Sequence, residues 1–147
     1  LRRNSGFTCG AHLSALHREA TTFGSMNTWI AIFLGGGIGS VARFGITRAV
    51  LAVGIKGAFP WATLLSNVLA TGLLAWLVLR MPHQFDGRDA LKAFLAVGFC
   101  GGFSTFSTFS YENFLLLREG QTAMAAVNII VSVAACLAVF HFVARNA

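Results

Sequence analysis

Gly98-Phe99-Cys100-Gly101-Gly102-Phe103-Ser104-Thr105-Phe106-Ser107-Thr108-Phe109-Ser110 is the stretch that decides how this chain is read. It sits in the middle of a charge-free apolar segment. The paired glycines are expected to break a membrane helix there, and small hydroxyls then alternate with phenylalanines. Backbone freed inside a bilayer survives only where it is buried in protein or lines a watery path. Broken membrane helices are also where transporters and channels bind ions. The segment points to ion passage.

The rest of the chain supports a membrane setting. Of its 147 residues, 56% are hydrophobic and 11% charged, and the mean hydropathy is +0.71. Four stretches are nearly free of charge and long enough to cross a bilayer: 27–53, 61–79, 90–117 and 122–144. This predicts an all-α membrane protein, a single four-helix domain over residues 26–147 with the third helix broken near its middle. Four helices leave no room for a wide internal pore. A conduction path is therefore expected between subunits, or in a groove that a second copy closes. Residues 1–25 are mixed and polar and read as a disordered extension or a mis-assigned start before Met26. The formal charge of +6 reads as anchoring and topology, not as nucleic-acid binding. Cys9, Cys100 and Cys136 have no metal-site spacing.

Within the spans, the polar residues are few. Gly35 and Gly39 form a GxxxG pair that admits a close helix neighbour. Arg43 lies inside the first span, where a cation faces a cavity or a partner. Arg48 reads as a snorkelling interface residue, and His141 as an interfacial histidine. Pro60 suits the start of the second helix, whose middle carries Asn67 between Ser66 and Thr71. Glu112 is the third span's only carboxylate and is placed near its far end. Asn128 and Ser132 lie one turn apart on one face of the fourth. The basic residues divide almost evenly: Arg80, Arg88, Lys92 and Arg145 on one side, Arg48, Lys56 and Arg118 with the deeper Arg43 on the other. The positive-inside rule then gives almost no preferred orientation. Two oppositely inserted copies would pair about an axis in the membrane plane, the oligomeric equivalent of an inverted repeat.

No positive charge falls between Phe94 and Leu117, so an anion there would need neutral donors. Ser104, Thr105, Ser107, Thr108 and Ser110 offer hydroxyls, and Asn67 an amide N–H₂. Phenylalanine offers its positive ring edge, and Phe106 and Phe109 share a helix face. Such contacts are weak, which suits a path that must also release its ion. Each residue also has a plainer reading: core or lipid packing for the phenylalanines, an interhelical hydrogen bond for Asn67, back-bonding for the hydroxyls. Unwound carbonyls near Gly101 and Ser104 suit a buried, structural Na⁺.

These residues resemble the Fluc fluoride channels, also called CrcB proteins, from about Met26 to the C-terminus. Gly35-Gly36-Gly37-Ile38-Gly39-Ser40-Val41-Ala42-Arg43-Phe44 is similar to the family's first-helix motif, and Pro60-Trp61-Ala62-Thr63-Leu64-Leu65-Ser66-Asn67 to its second. The stretch from Gly101 to Ser110 resembles its third-helix signature, the most specific of the three. The resemblance implies an antiparallel, dual-topology homodimer with two fluoride pores in the bacterial inner membrane. It implies that Phe106 and Phe109 are pore phenylalanines, Asn67 the pore amide, and Ser132 and Thr108 members of a hydroxyl track. It implies that Arg43 stands at a vestibule and that the Gly101 and Ser104 carbonyls hold Na⁺ on the two-fold axis. The implied role is passive export of cytoplasmic fluoride. The chain departs from the pattern at Ala62 and Ala70, where glycine is common, and at Ser104, Phe44 and Ser40.

Two other classes fit less well. A small dual-topology multidrug antiporter needs a central carboxylate, and spans one, two and four hold none. A non-conducting membrane assembly subunit would explain the GxxxG pair but not hydroxyls gathered at a break. An enzyme is not expected: Asp86, Asp89 and His83 share a connecting loop without nucleophile–base spacing.

Overall fold

The computed structural model describes residues 26–55, 57–81 and 87–146. The extension expected at 1–25, and Lys56 and His83 to Asp86, lie outside the described residues. The first helix, α1, is Met26–Ala52, and α2 is Trp61–Arg80. The third span runs over Asp89–Arg118 in pieces. It begins as α3 (Asp89–Lys92), widens into a π-helical stretch over Ala93–Phe99 and closes as α4 (Cys100–Phe103). After two extended residues it resumes as α5 (Phe106–Arg118). The last helix, α6, is Thr122–Arg145. These are four spans long and apolar enough to cross a membrane, and each end lies within one residue of the sequence expectation.

The chain is built inside-out relative to a soluble domain. Its buried residues are mostly small or polar: Thr63, Ser66, Ala70, Ala75, Ala93, Ala125, Asn128 and Ser132. Large apolar side chains face outward, with Phe33 79% and Val41 71% exposed. Lipid tails are as apolar as these side chains, so burying them against protein brings little gain. Close backbone contact and interhelical hydrogen bonds hold the helices together instead.

Glycine makes the closest contact. α1 packs along the α3–α4 limb. A Cβ on Gly35 would strike the Phe94 carbonyl, one on Gly39 the Phe99 carbonyl, and one on Gly102 the Gly36 carbonyl. A Cβ on Gly98 would lie 2.7 Å from the Ile32 carbonyl oxygen. The expected GxxxG pair of α1 thus meets a second one, Gly98 and Gly102, on the third span. This corrects one expectation. Gly102 does not break the helix; it belongs to α4 and serves the contact with α1. The backbone breaks two residues later, at Ser104 (φ −75°, ψ 158°) and Thr105 (φ −153°, ψ 115°).

The third span turns into the fourth over Glu119 to Gln121. Gly120 takes φ +75°, and the Gln121 N–H reaches back to the Leu116 carbonyl at 2.8 Å. This left-handed cap stops α5 and returns the chain antiparallel. α6 then packs against α2 and α5.

Candidate functional site

The break is held open from outside the helix. Thr105 would ordinarily donate its N–H to the Gly101 carbonyl, four residues back. It donates instead to Asn67 Oδ1 on α2, at 2.8 Å. Asn67 Nδ2 donates in turn to the Thr105 carbonyl at 3.4 Å. One side-chain amide thus satisfies both backbone groups of the broken residue, as buried peptide groups require. The Thr105 hydroxyl then caps α5, accepting from the Thr108 N–H at 3.2 Å and donating to Thr108 Oγ1 at 3.1 Å. A threonine at N-cap suits this role. The expected interhelical hydrogen bond of Asn67 is therefore present, and its partner is the break itself.

Two recesses flank the break, and Thr105 lines both. The larger, about 340 Å³, gathers Asn67, Ser104, Phe106, Phe109, Ser132 and Cys136. The phenylalanine rings share a face as expected, with centroids 6.0 Å apart and planes tilted by 39°. Phe106 is 80% exposed, so the recess is an open groove with one aromatic wall facing away from the chain. Ser132 is buried at its floor, one turn from Asn128.

The smaller recess, about 250 Å³, is lined by Arg43, Thr47, Thr63, Ser66, Thr108 and Glu112 among others. Arg43 Nη1 donates to Thr108 Oγ1 at 3.5 Å, and Thr63 Oγ1 donates to Glu112 Oε1 at 2.7 Å. The structure thus divides the sequence candidates. Asn67, Phe106, Phe109 and Ser132 share one groove, while Arg43 and Thr108 face the recess beyond the break.

Gly101 is exposed, and a Cβ there would meet nothing within 4 Å. Its carbonyl has lost its helical donor to Asn67, and Ser104 stands extended beside it. Among the described residues no cluster of three His, Cys, Asp or Glu side chains could hold a metal. A cation here would depend on backbone carbonyls, of which the break releases that of Gly101.

Some functional candidates escaped the sequence reading. Glu112, near the far end of the third span as expected, is bonded to Thr63 on α2, with Oε2 buried and, among the described residues, without a hydrogen-bond partner. Its signal was available, because Glu112 is six residues after Phe106 within one uninterrupted apolar helix. Asn113 is buried against Asn128, and nothing in its spacing alone marks it.

Comparison with known proteins adds a separate line. Residues 30–144 match the family model described as CrcB-like protein, Camphor Resistance (CrcB). The chain is 41% identical over 109 residues to the fluoride-specific ion channel FluC of Pyrococcus abyssi (strain GE5 / Orsay), covering 74% of this chain and 86% of that protein. It is 44% identical over 117 residues to the FluC of Methylobacterium sp. (strain 4-46), covering 77% and 89%. To the FluC of Pyrococcus furiosus it is 45% identical over 106 residues, covering 72% and 84%.

Proposed function

We propose, from the premise that this chain belongs to the CrcB family, that it is a fluoride-selective channel that lets fluoride leave the cytoplasm down its gradient. It is a multi-pass membrane protein and not an enzyme; the inner membrane of a bacterial cell is the proposed location. The observation that carries the reading is the groove beside the break, which joins Asn67, Phe106, Phe109 and Ser132. Fluoride is a small, hard anion with strong hydrogen-bond affinity. The groove offers it an amide, a hydroxyl and aromatic edges, with no cation to trap it. Weak, multiple contacts allow both entry and exit.

One chain leaves the groove open, with Phe106 turned outward. A second copy in the opposite orientation would close it, and the two-fold relation would yield two equivalent pores. Arg43, in the recess beyond the break, would draw anions toward the path and stand at its vestibule, with Thr108 beside it. The released Gly101 carbonyl and the Ser104 carbonyl fit a structural Na⁺ shared between the copies. Bound there, Na⁺ would supply positive charge to backbone oxygens that the break leaves without donors. Asn67 keeps the Gly101 oxygen free by occupying the Thr105 N–H.

The test is fluoride efflux from liposomes holding the purified protein, read with a fluoride electrode beside a chloride control. Rapid fluoride release without chloride release is expected. No release from an inserted dimer would reduce the family likeness to a shared fold.

A further inference from the structure

Behind the groove, between α5 and α6, runs a chain of buried side-chain amides. Asn113 is 6% and Asn128 1% exposed, and Ser132 is 6%. Asn113 Nδ2 donates to the Phe109 carbonyl at 2.7 Å. Asn128 Nδ2 donates to Asn113 Oδ1 at 3.0 Å. Ser132 Oγ donates to Asn128 Oδ1 at 3.3 Å.

The direction of this chain is forced. A backbone carbonyl only accepts, so the Asn113 NH₂ must face Phe109 and its oxygen must face Asn128. That oxygen accepts only from the Asn128 NH₂, which turns the Asn128 oxygen toward Ser132. The Ser132 proton must then point at Asn128, away from the groove that Ser132 lines. The last bond is the weak one, since 3.3 Å lies outside the usual 2.5–3.0 Å of an O–H···O bond. An anion in the groove is a stronger acceptor than a neutral amide oxygen, and the hydroxyl needs only to rotate to reach it.

We propose that Asn113 and Asn128 are positioning residues for conduction: they park the Ser132 proton on Asn128 when the groove is empty and yield it to a passing anion. The proposal rests on the reading that the groove conducts fluoride. The parked state lowers the net gain of binding, because each anion must displace an existing hydrogen bond. It thereby keeps the site loose. Neither asparagine touches the ion. The relay also ties the Ser132 proton to the Phe109 carbonyl, and so couples the hydroxyl to the turn that carries one aromatic wall.

The experiment is a double-mutant cycle in liposomes. Initial fluoride efflux rates are measured across fluoride concentrations for wild type, Asn128→Leu, Ser132→Ala and the pair combined. Asn128→Leu should lower the half-saturating fluoride concentration by roughly three- to tenfold, the factor that one weak hydrogen bond provides. In the Ser132→Ala background it should change nothing. An equal change in both backgrounds, or no change in either, would make Asn128 a packing residue and overturn the relay. If Asn128→Leu does not assemble, Asn113→Leu with Asn128→Leu removes the whole pair, strands no amide and enters the same cycle. A wild type that releases no fluoride would sink the channel reading instead, so the two failures are distinguishable.

Discussion

Replacing Asn67 two ways separates its structural task from its place in the groove. Its amide makes two hydrogen bonds to Thr105, at 2.8 and 3.4 Å. Asn67→Leu removes both at similar volume. Each neutral bond is worth about 1 kcal/mol, and a stranded buried N–H costs about 1–3 kcal/mol more. The expected loss is therefore about 3–5 kcal/mol, unless Thr105 rebonds to the Gly101 carbonyl and the helix closes. Either outcome destroys the break, and fluoride flux should fall with it. Asn67→Asp keeps an acceptor for the Thr105 N–H and loses only the longer bond. The break should survive, at the cost of about 1 kcal/mol for the lost bond plus the repulsion between the new carboxylate oxygen and the Thr105 carbonyl oxygen. It also places a carboxylate in the groove. At a separation of about 5 Å and an effective dielectric near 20, that charge repels an anion by about 3 kcal/mol, more than a hundredfold in occupancy. The Asp variant should keep the break and yet not conduct; the Leu variant should lose both. Thermal unfolding in detergent, deuterium exchange at the Thr105 amide and liposome efflux read the three quantities. Flux in Asn67→Asp within a few-fold of wild type would remove Asn67 from the path. A Leu variant more stable than the Asp variant would refute the account of the break.

Other perturbations test neighbouring parts. Gly102→Ala drives a methyl group into the Gly36 carbonyl and should lower the unfolding temperature sharply, whereas Gly45→Ala, with open space around it, should leave it unchanged or slightly higher. Phe106→Ile and Phe109→Ile should each slow fluoride efflux while size-exclusion profiles stay those of the native assembly; unaltered rates in both would take the rings out of the pore. Cys136 lines the groove half-buried, whereas Cys100 is buried. In a Cys9→Ser background, a small mercurial should block efflux, and adding Cys136→Ser should abolish the block.

The outline of the fold was legible because the bilayer imposes it: length and lack of charge mark each span, and every helix end lies within a residue of expectation. The site was legible by composition but not by arrangement. Ser66, Asn67 and the hydroxyl-rich stretch announce polar chemistry in an apolar setting, yet sequence does not say which side of a helix break each residue faces. The resemblance puts Thr108 in a hydroxyl track with Ser132. Because the helix turns about 100° per residue and restarts at a cap on Thr105, Thr108 instead meets Arg43 across the break. The glycines misled for a related reason. Glycine signals either a free backbone or a close neighbour, and only the partner helix tells which. Gly98 and Gly102 repeat the four-residue spacing of Gly35 and Gly39, so the matching pair was on the page, but not their contact.

The two devices depend on each other. An amide from α2 can capture the Thr105 N–H only if the broken strand is presented to it at a fixed height. The glycine contact supplies that fixity, since backbone against backbone leaves no side chain to rearrange. It clamps α4 to α1 up to Gly102, two residues short of the break. Beyond the clamp, α5 is free to take its own direction, set by the Thr105 cap and the Asn113–Asn128 bond to α6. The third span therefore comprises one limb fixed to α1 and another fixed to α6, with Asn67 of α2 holding the joint. Every helix contributes to that joint. This is why so small a chain can keep an amide, a hydroxyl and two aromatic rings within one groove. A change at Gly102 should consequently reach the groove as well as the fold, and a Gly102→Ser variant that assembles yet conducts normally would argue that the clamp and the joint are independent.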